Sequence, residues 1–424
     1  MATTKVIPGV LDLNEATSES GLKIPTGTNN NRPATDVAGM VRNNTNETSD
    51  GSASCEEYYN GAAWKKINNV AIPPIVGMST LIWAGNGSTQ PIAGLGFKPD
   101  FVWIKERTGT NPHALYDSVR GAGKLVSSND QTAQTGNSGD LLGSFDANGF
   151  QVNRQYLTNT NYDTTNGLSN LNYVGWAWKG GGNSNTFNKD GTGYATASAA
   201  GLTTGTNNPT GSTINTESGF SAITLNAGAT NNSDRTVAHG LGVKPAFVIM
   251  RRTDASAWFV WHQSLSQDSY YLYLQDDFDE SDLTQSGNAW GNQSFTATNI
   301  SWRNGWTFST NEDLFAYCWA EVAGHSKMGS YAGNGSLAGP IVTTGFPVNF
   351  VLIKRIDGNS NWNIYDTSRD SSNPSGPPLY PNLNNPEGGT QAVNFLATGF
   401  QPYYSGGDIN ENGGTYIYVA FNQA

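Results

Sequence analysis

The chain has 424 residues, of which only 13% are charged, while Gly alone contributes 50; with abundant Asn, Thr and Ser this composition supplies turns and uncharged hydrogen-bonding surface rather than helix. Aromatic residues reach 11%, with 12 Trp and 18 Tyr, too many for a disordered chain. The balance of 23 basic against 34 acidic residues gives a net charge of −11 without a basic cluster, which excludes a phosphate-dominated, nucleic-acid-binding surface.

Residues 1–70 differ from the rest. Gly21-Leu22-Lys23-Ile24-Pro25-Thr26-Gly27-Thr28 leads to Asn31-Arg32-Pro33-Ala34, then Gly39-Met40-Val41-Arg42-Asn43-Asn44-Thr45, then Glu57-Tyr58-Tyr59-Asn60-Gly61-Ala62-Ala63-Trp64. Asn60-Gly61 between two aromatic strand candidates is a strong hairpin signal. So small a segment cannot bury a sufficient core alone, which predicts assembly with other copies or a partner.

From residue 71 the chain repeats itself. Gly96-Phe97-Lys98-Pro99-Asp100-Phe101-Val102-Trp103-Ile104-Lys105 returns as Gly242-Val243-Lys244-Pro245-Ala246-Phe247-Val248-Ile249-Met250-Arg251 and again as Gly345-Phe346-Pro347-Val348-Asn349-Phe350-Val351-Leu352-Ile353-Lys354. Each copy is followed at similar distance by a closing aromatic strand, Tyr173–Trp178, Leu314–Trp319 and Tyr416–Phe421. Copies 1 and 3 also share the pentapeptide Ala84–Ser88 and Ala332–Ser336. One structural module used three times is the reading, with repeats at 71–182, 218–325 and 326–424.

Within the motifs, Phe101–Ile104, Phe247–Met250 and Phe350–Ile353 are apolar on both alternating faces, so they are expected to be covered on both: central strands of β-sandwiches, with a further contact on the outer face. Helix has little room. The longest stretch free of Gly and Pro, Ala246–Ser286, holds β-type aromatic clusters, leaving only short segments such as Asp117–Val126 for a helical turn. Gly180-Gly181-Gly182-Asn183 opens a Gly/Thr/Asn-rich stretch, 183–217, that reads as a linker or long ordered loop. It predicts a hinge between repeat 1 and the others, whereas the short join at Ala323-Gly324-His325 predicts that repeats 2 and 3 form a fixed pair.

The N-terminal pattern resembles a module of bacteriophage tail-fibre and baseplate-associated proteins: Leu-Pro-x-Gly-Thr (Ile24-Pro25 here), Arg-Pro, Gly-Met-Ile/Val-Arg, then Glu-x-Tyr-x-Gly-x-x-Trp. The three repeats resemble the Gly-Phe-x-Pro-x-Phe/Trp-Val-x-Ile-Lys units of virion appendage proteins from marine tailed phages, including those infecting cyanobacteria. His239-Gly240-Leu241-Gly242 and Cys318-Trp319-Ala320-Glu321-Val322 fit the same group. The resemblance implies a virion structural or receptor-binding role, with Arg32, Pro33, Arg42, Tyr58 and Trp64 as candidate attachment residues.

Little in the chain marks chemistry. His113, His239, His262 and His325 are scattered, with no metal-ligand spacing. Gly121-Ala122-Gly123-Lys124 has a partial likeness to a phosphate loop, but Leu125 stands where Ser or Thr is required, so it reads as a turn. Asp276-Asp277-Phe278-Asp279-Glu280-Ser281-Asp282 is an oxygen-rich run without EF-hand spacing and reads as a solvated turn. Trp258, Trp261, Trp290, Trp302 and Trp306 concentrate in repeat 2, several beside Asn, Ser or Arg; they are candidates for stacking on sugar, set against the favoured reading of a sandwich core or subunit seam. Cys55 and Cys318 fall in different modules, and no disulfide is expected.

The expectation is therefore an all-β chain, an N-terminal assembly segment followed by three tandem β-sandwich modules. It has no catalytic, metal or cofactor-binding residues and no enzymatic activity. The expected partners are other virion proteins, further copies in a homotrimer and a host-surface glycan, with no nucleic acid and no membrane insertion. Met1–Pro8 lacks the apolar core of a secretory signal, which places synthesis in the host cytoplasm and the product on the tail or outer surface of the particle. The alternatives are a capsid-decoration or tail-ring protein without a receptor role, and an envelope-polysaccharide depolymerase.

Overall fold

The computed structural model describes residues 26–27, 41–44, 55–59, 64–66 and 77–423, apart from 136–140, 154–156, 160–161, 164–167, 282–288, 292, 306–307 and 309. The chain forms two compact units, Met1–Pro73 and Pro74–Ala424. In the first, Thr26–Gly27 runs parallel to Val41–Asn44, which pairs antiparallel with Cys55–Tyr59, itself paired antiparallel with Trp64–Lys66. The turn at Asn60-Gly61 lies outside the described residues, but the strands flanking it are in hairpin register, Tyr59 opposite Trp64. Of the candidate attachment residues, Arg42, Tyr58 and Trp64 lie on these strands, and Arg32 and Pro33 fall outside the described residues.

The second unit is all-β, and its described residues contain no helix. Each repeat contributes four antiparallel strands in the same spatial order: lead-in, closing, motif, hairpin. The lead-in strands are Met78–Ala84, Phe220–Asn226 and Ser326–Ala332, and the closing strands are Asn172–Trp178, Asp313–Trp319 and Thr415–Phe421. The motif strands are Phe101–Glu106, Phe247–Arg252 and Phe350–Arg355, each paired with a hairpin strand, Ala114–Asp117, Phe259–His262 or Asn363–Asp366. Register is identical as well. The first Phe of each motif strand faces the last aromatic of its closing strand: Phe101 and Trp178, Phe247 and Trp319, Phe350 and Phe421.

Because side chains alternate along a strand, each motif strand serves two cores. In repeat 1, Val102 and Ile104 face a private core with Trp83, Phe150 and Tyr173, closed by the small sheet of Gln90–Ala93, Gly149–Val152 and Leu142–Asp146. Repeat 3 repeats this with Val351, Ile353, Tyr331, Phe400 and Tyr416, under Val342–Thr343, Gly399–Tyr403 and Ala392–Leu396. Among the described residues, repeat 2 has two strands in that layer, Asp234–Ala238 and Asn299–Arg303. The opposite faces of all three sheets meet in one shared core. There Phe101 lies 4.3 Å from Tyr317 by ring centroids, and Trp178 lies edge-on to Trp319, Phe350 and Phe421 at 5.8, 5.9 and 5.8 Å. Rings of this size each bury on the order of 150–250 Å², so the shared core is a major source of cohesion.

The stretch 183–217 is not a linker. It carries strands Phe187–Lys189, Thr192–Tyr194 and Gly211–Asn215, which with Leu272–Tyr273 at the other end extend the sheet of repeat 2 from four strands to eight. Its glycine run serves close packing rather than flexibility: a Cβ on Gly180 would stand 2.5 Å from Thr213 Oγ1, and one on Gly181 2.6 Å from the Asn188 backbone. Gly180 and Gly182 also donate their amides to Asp100 Oδ2, at 3.0 and 3.1 Å. The hinge expected here is absent, since repeat 1 shares a core with both other repeats. Asp117–Val126 folds as turns, without helix. The shared pentapeptide is a structural turn, in which Asn159 Nδ2 donates to Asn86 Oδ1 and, in the same way, Asn410 Nδ2 to Asn334 Oδ1, each at 3.0 Å.

Candidate functional site

Four of the five candidate tryptophans are core residues. Trp258, Trp261, Trp290 and Trp302 are at most 1% exposed, and each indole N–H already has an acceptor: Ser127 O, Asp268 O, Tyr270 O and Asn304 Oδ1 respectively. An indole face sealed inside a sandwich cannot stack on sugar, so of the two readings of these four the favoured one, a sandwich core, is what the structure has and the sugar-stacking alternative is corrected; Trp306 lies outside the described residues. Of the polar neighbours that suggested it, Asn304 is the partner of the Trp302 indole; the other three indoles use backbone carbonyls.

The polar chemistry of the body is concentrated at the three seams between repeats, on equivalent positions. Register places Leu115, Val260 and Ile364 opposite the third residue of each motif strand. Two residues earlier stand His113, Trp258 and Trp362, and each gives a ring N–H to a backbone carbonyl of another repeat. Trp258 donates to Ser127 O at 2.8 Å, Trp362 to Tyr273 O at 2.9 Å, and His113 Nε2 lies 2.9 Å from Tyr380 O. The acceptors are equivalent too, because each follows the residue paired with Leu115, Val260 or Ile364, namely Val126, Leu272 or Leu379. The bonds run from repeat 1 to 3, from 3 to 2 and from 2 to 1, closing a ring. Trp103 Nε1, which can only donate, bonds His113 Nδ1 at 2.8 Å; the imidazole proton is therefore on Nε2, aimed at Tyr380. Burial, and then the charge of Lys105, push the pKa of His113 well below the usual histidine value.

A second set sits where the hairpin strand faces the first motif Phe: Asp117, His262 and Asp366. Asp117 holds Arg120 of its own repeat and accepts from Tyr317 OH of repeat 2 at 2.7 Å. Asp366 holds Arg369 and accepts from Trp176 Nε1 of repeat 1 at 3.0 Å. His262 Nε2 meets Tyr418 O of repeat 3 at 3.1 Å, while its Nδ1 accepts from Ser264 N. A third set is the basic end of the motif, Lys105, Arg251 and Lys354, all fully buried. The lysines meet carbonyls, Lys105 at Glu106 O and Gly109 O and Lys354 at Asp277 O of repeat 2 and Arg355 O, while Arg251 gives Nη2 to Thr132 O of repeat 1 and lays its guanidinium over Trp258. Burial lowers both lysines to about 8 and Arg251 to about 10.

The remaining motifs resolve in the same terms. Asp277, from the acidic run, supplies its carbonyl to Lys354 and to Ser360 N, so part of that run is a seam rather than a free turn. Asp282 lies outside the described residues, and among those described no group of three or more His, Cys, Asp or Glu is arranged to hold a metal ion. His239 and His325 are buried, with pKa lowered by that burial to about 4. Cys318 is a buried free thiol whose pKa burial pushes up to about 12, an inert core residue. The seam residues Arg120, Arg369 and Trp362 were not singled out from sequence; the repeated basic residue ending each motif was the available signal.

Together these seams define a closed, three-repeat all-β body whose buried polar groups hold its parts together. The chain belongs to the family described as a domain of unknown function, DUF7483, whose model matches residues 77–424, the whole of that body. No curated protein matches the chain.

Proposed function

We propose that the protein is a structural component of a virion appendage of tail-fibre type, which attaches through its N-terminal unit and displays the three-repeat body for host-surface recognition without catalysing a reaction. The observation that carries this reading is the ring of equivalent seams, which commits His113, His262, Arg251 and Lys354 to bonds between repeats and so to cohesion. The tail-fibre-like pattern of the N-terminal segment supports the attachment role, and its small size supports trimeric assembly. With the four tryptophans of repeat 2 buried, contact with a host glycan falls to the polar loops, as weak sites whose avidity multiplies across copies.

The test is to identify the chain by mass spectrometry in purified particles and to locate it with gold-labelled antibody against residues 77–424. A distal position on the tail, together with retention on host envelope, is expected. Absence from particles, or purified protein that binds neither virion components nor envelope, refutes the reading. A label buried at a ring or on the capsid would instead mark a purely structural protein, and shortened envelope polysaccharide after incubation would mark a depolymerase.

A further inference from the structure

Each motif carries a buried cation near its end, and in two of the three repeats the chain itself satisfies it: Lys105 and Lys354 each give the ammonium to two carbonyls. Repeat 2 has Arg251 at this position, fully buried, and its connection to the hairpin strand is one residue shorter than in the other repeats. The guanidinium lies over the Trp258 ring, 4.9 Å from its centre. A segment of repeat 1 crosses this seam and is tied at both ends: Gln131 O accepts from Ser256 N at 3.0 Å, and Gln134 N donates to Thr253 O at 2.7 Å. Of the five N–H donors of an arginine, Thr132 O takes one, on Nη2. Nε and Nη1 are sealed from solvent and meet no acceptor among the described residues.

A guanidinium keeps its proton in a protein, so Arg251 is a buried charge as well as a set of unmet donors. Either condition alone strongly disfavours the folded state. The acids whose charges reach it are engaged elsewhere. Asp130 Oδ1 accepts from Thr132 N at 3.0 Å and from Thr132 Oγ1 at 2.6 Å, and Asp254 Oδ1 accepts from Arg252 Nε at 2.7 Å. Neither bonds Nε or Nη1. Arg120, the other cation of this seam, is matched by Asp117.

We propose that Arg251 holds a small monovalent anion of the size of chloride, through Nε and Nη1, in the seam between repeats 2 and 1. A single charge matches a single guanidinium, and a halide gives up its water more readily than sulfate or phosphate, as a site closed by Trp258 and Gln131–Gln134 requires. The ion takes the part that the second carbonyl plays for Lys105 and Lys354, so one of the three seams is completed by solvent rather than by the chain. This inference concerns the seam alone and does not rest on the virion reading.

The probes are chloride and bromide, with the full chain. Melting temperature is measured at constant ionic strength while gluconate, too large to be enclosed, is replaced by chloride from about 10 to about 300 mM. A thirtyfold rise in an anion that binds only the folded chain is expected to raise it by about 3 °C for a body of this size. Arg251→Lys, which installs the residue that repeats 1 and 3 carry, is expected to fold and to lose the dependence on chloride. Bromide soaked into crystals is expected to give an anomalous peak within hydrogen-bond reach of Nε or Nη1; should Arg251→Lys not fold, this map decides alone. Equal melting in chloride and gluconate, a chloride dependence that survives in Arg251→Lys, or bromide found only elsewhere overturns the inference. So does a fall in melting temperature in Asp130→Asn with no effect of chloride, which would make Asp130 the counter-charge.

Discussion

The seam between repeats 1 and 3 and the two seams through which the chain itself passes are drawn to one plan with different rings. Where the chain runs from 1 to 2 and from 2 to 3, the bridging donor is an indole, Trp258 or Trp362. Where the ring is closed by contact alone, it is the imidazole of His113. An indole N–H is a donor at any pH, while an imidazole can donate from Nε2 and accept at Nδ1 together only as the neutral Nε2–H tautomer, here selected by Trp103. The His113 seam compensates with charge. Glu387 takes both Arg107, at 2.8 Å, and Arg369, at 2.7 Å, and Arg369 also holds Asp366. The lesson is that one geometry can be stabilised by packing or by a polar network, and that the two respond to different insults.

Acid should separate them most. His239, His262 and His325 are held neutral by burial, with folded pKa about 4 against an ordinary value of 6.5, and His113 is lowered in the same direction. The folded state therefore binds fewer protons than the unfolded one. The stability these rings lend is whole above about pH 6.5 and is lost as the pH falls from there toward about 4, at about 1.4 kcal/mol per pH unit for each ring. Three such rings sum to about 10 kcal/mol by pH 4, comparable with the whole stability of an ordinary domain, so melting temperature measured against pH should fall steeply toward pH 4. His113→Gln should lower the steepness of that fall by about one proton; an unchanged slope would show that this seam does not take part.

Substitutions at neutral pH sharpen the contrast. Trp362→Ala removes a buried indole and leaves Tyr273 O without its donor, and should cost about 5 kcal/mol in urea unfolding. Arg369→Met removes the cation from the buried Asp366 carboxylate at the His113 seam and should cost about 4 kcal/mol at pH 7. A loss of less than about 1 kcal/mol there would mean the network is not what closes the ring. Lys327→Ala breaks a surface pair with Glu321, the lysine being 41% exposed, and should change stability by less than about 1 kcal/mol.

Much of this architecture is written locally and was readable. The apolar runs Phe101–Ile104, Phe247–Met250 and Phe350–Ile353 announced coverage on both faces, and both cores exist. Gly211–Asn215 was missed because a strand buried end to end has no alternation to display, and Gly, Ser, Thr and Asn look the same in a loop. The tryptophans of repeat 2 were ambiguous for a related reason. Phe259-Val260-Trp261 is a core pattern, but Asn, Ser and Arg beside Trp290 and Trp302 suggest solvent unless the chain's own carbonyls and amides are seen to satisfy the ring nitrogens. The kinship of His113 with Trp258 and Trp362 was invisible. The residue types differ, and the loop before Trp258 is one residue shorter than the other two; only register aligns them.

Gln423 Nε2 rests on Thr80, the third residue of the first lead-in strand, so the far end of the body lies beside its start. Cyclic order, rather than linear order, is therefore what the fold demands. A circular permutant opened at Ala323-Gly324, with a short tether from Gln423 back to Gly77, would preserve all three ring N–H bridges while moving the covalent gap to a junction bridged by an indole.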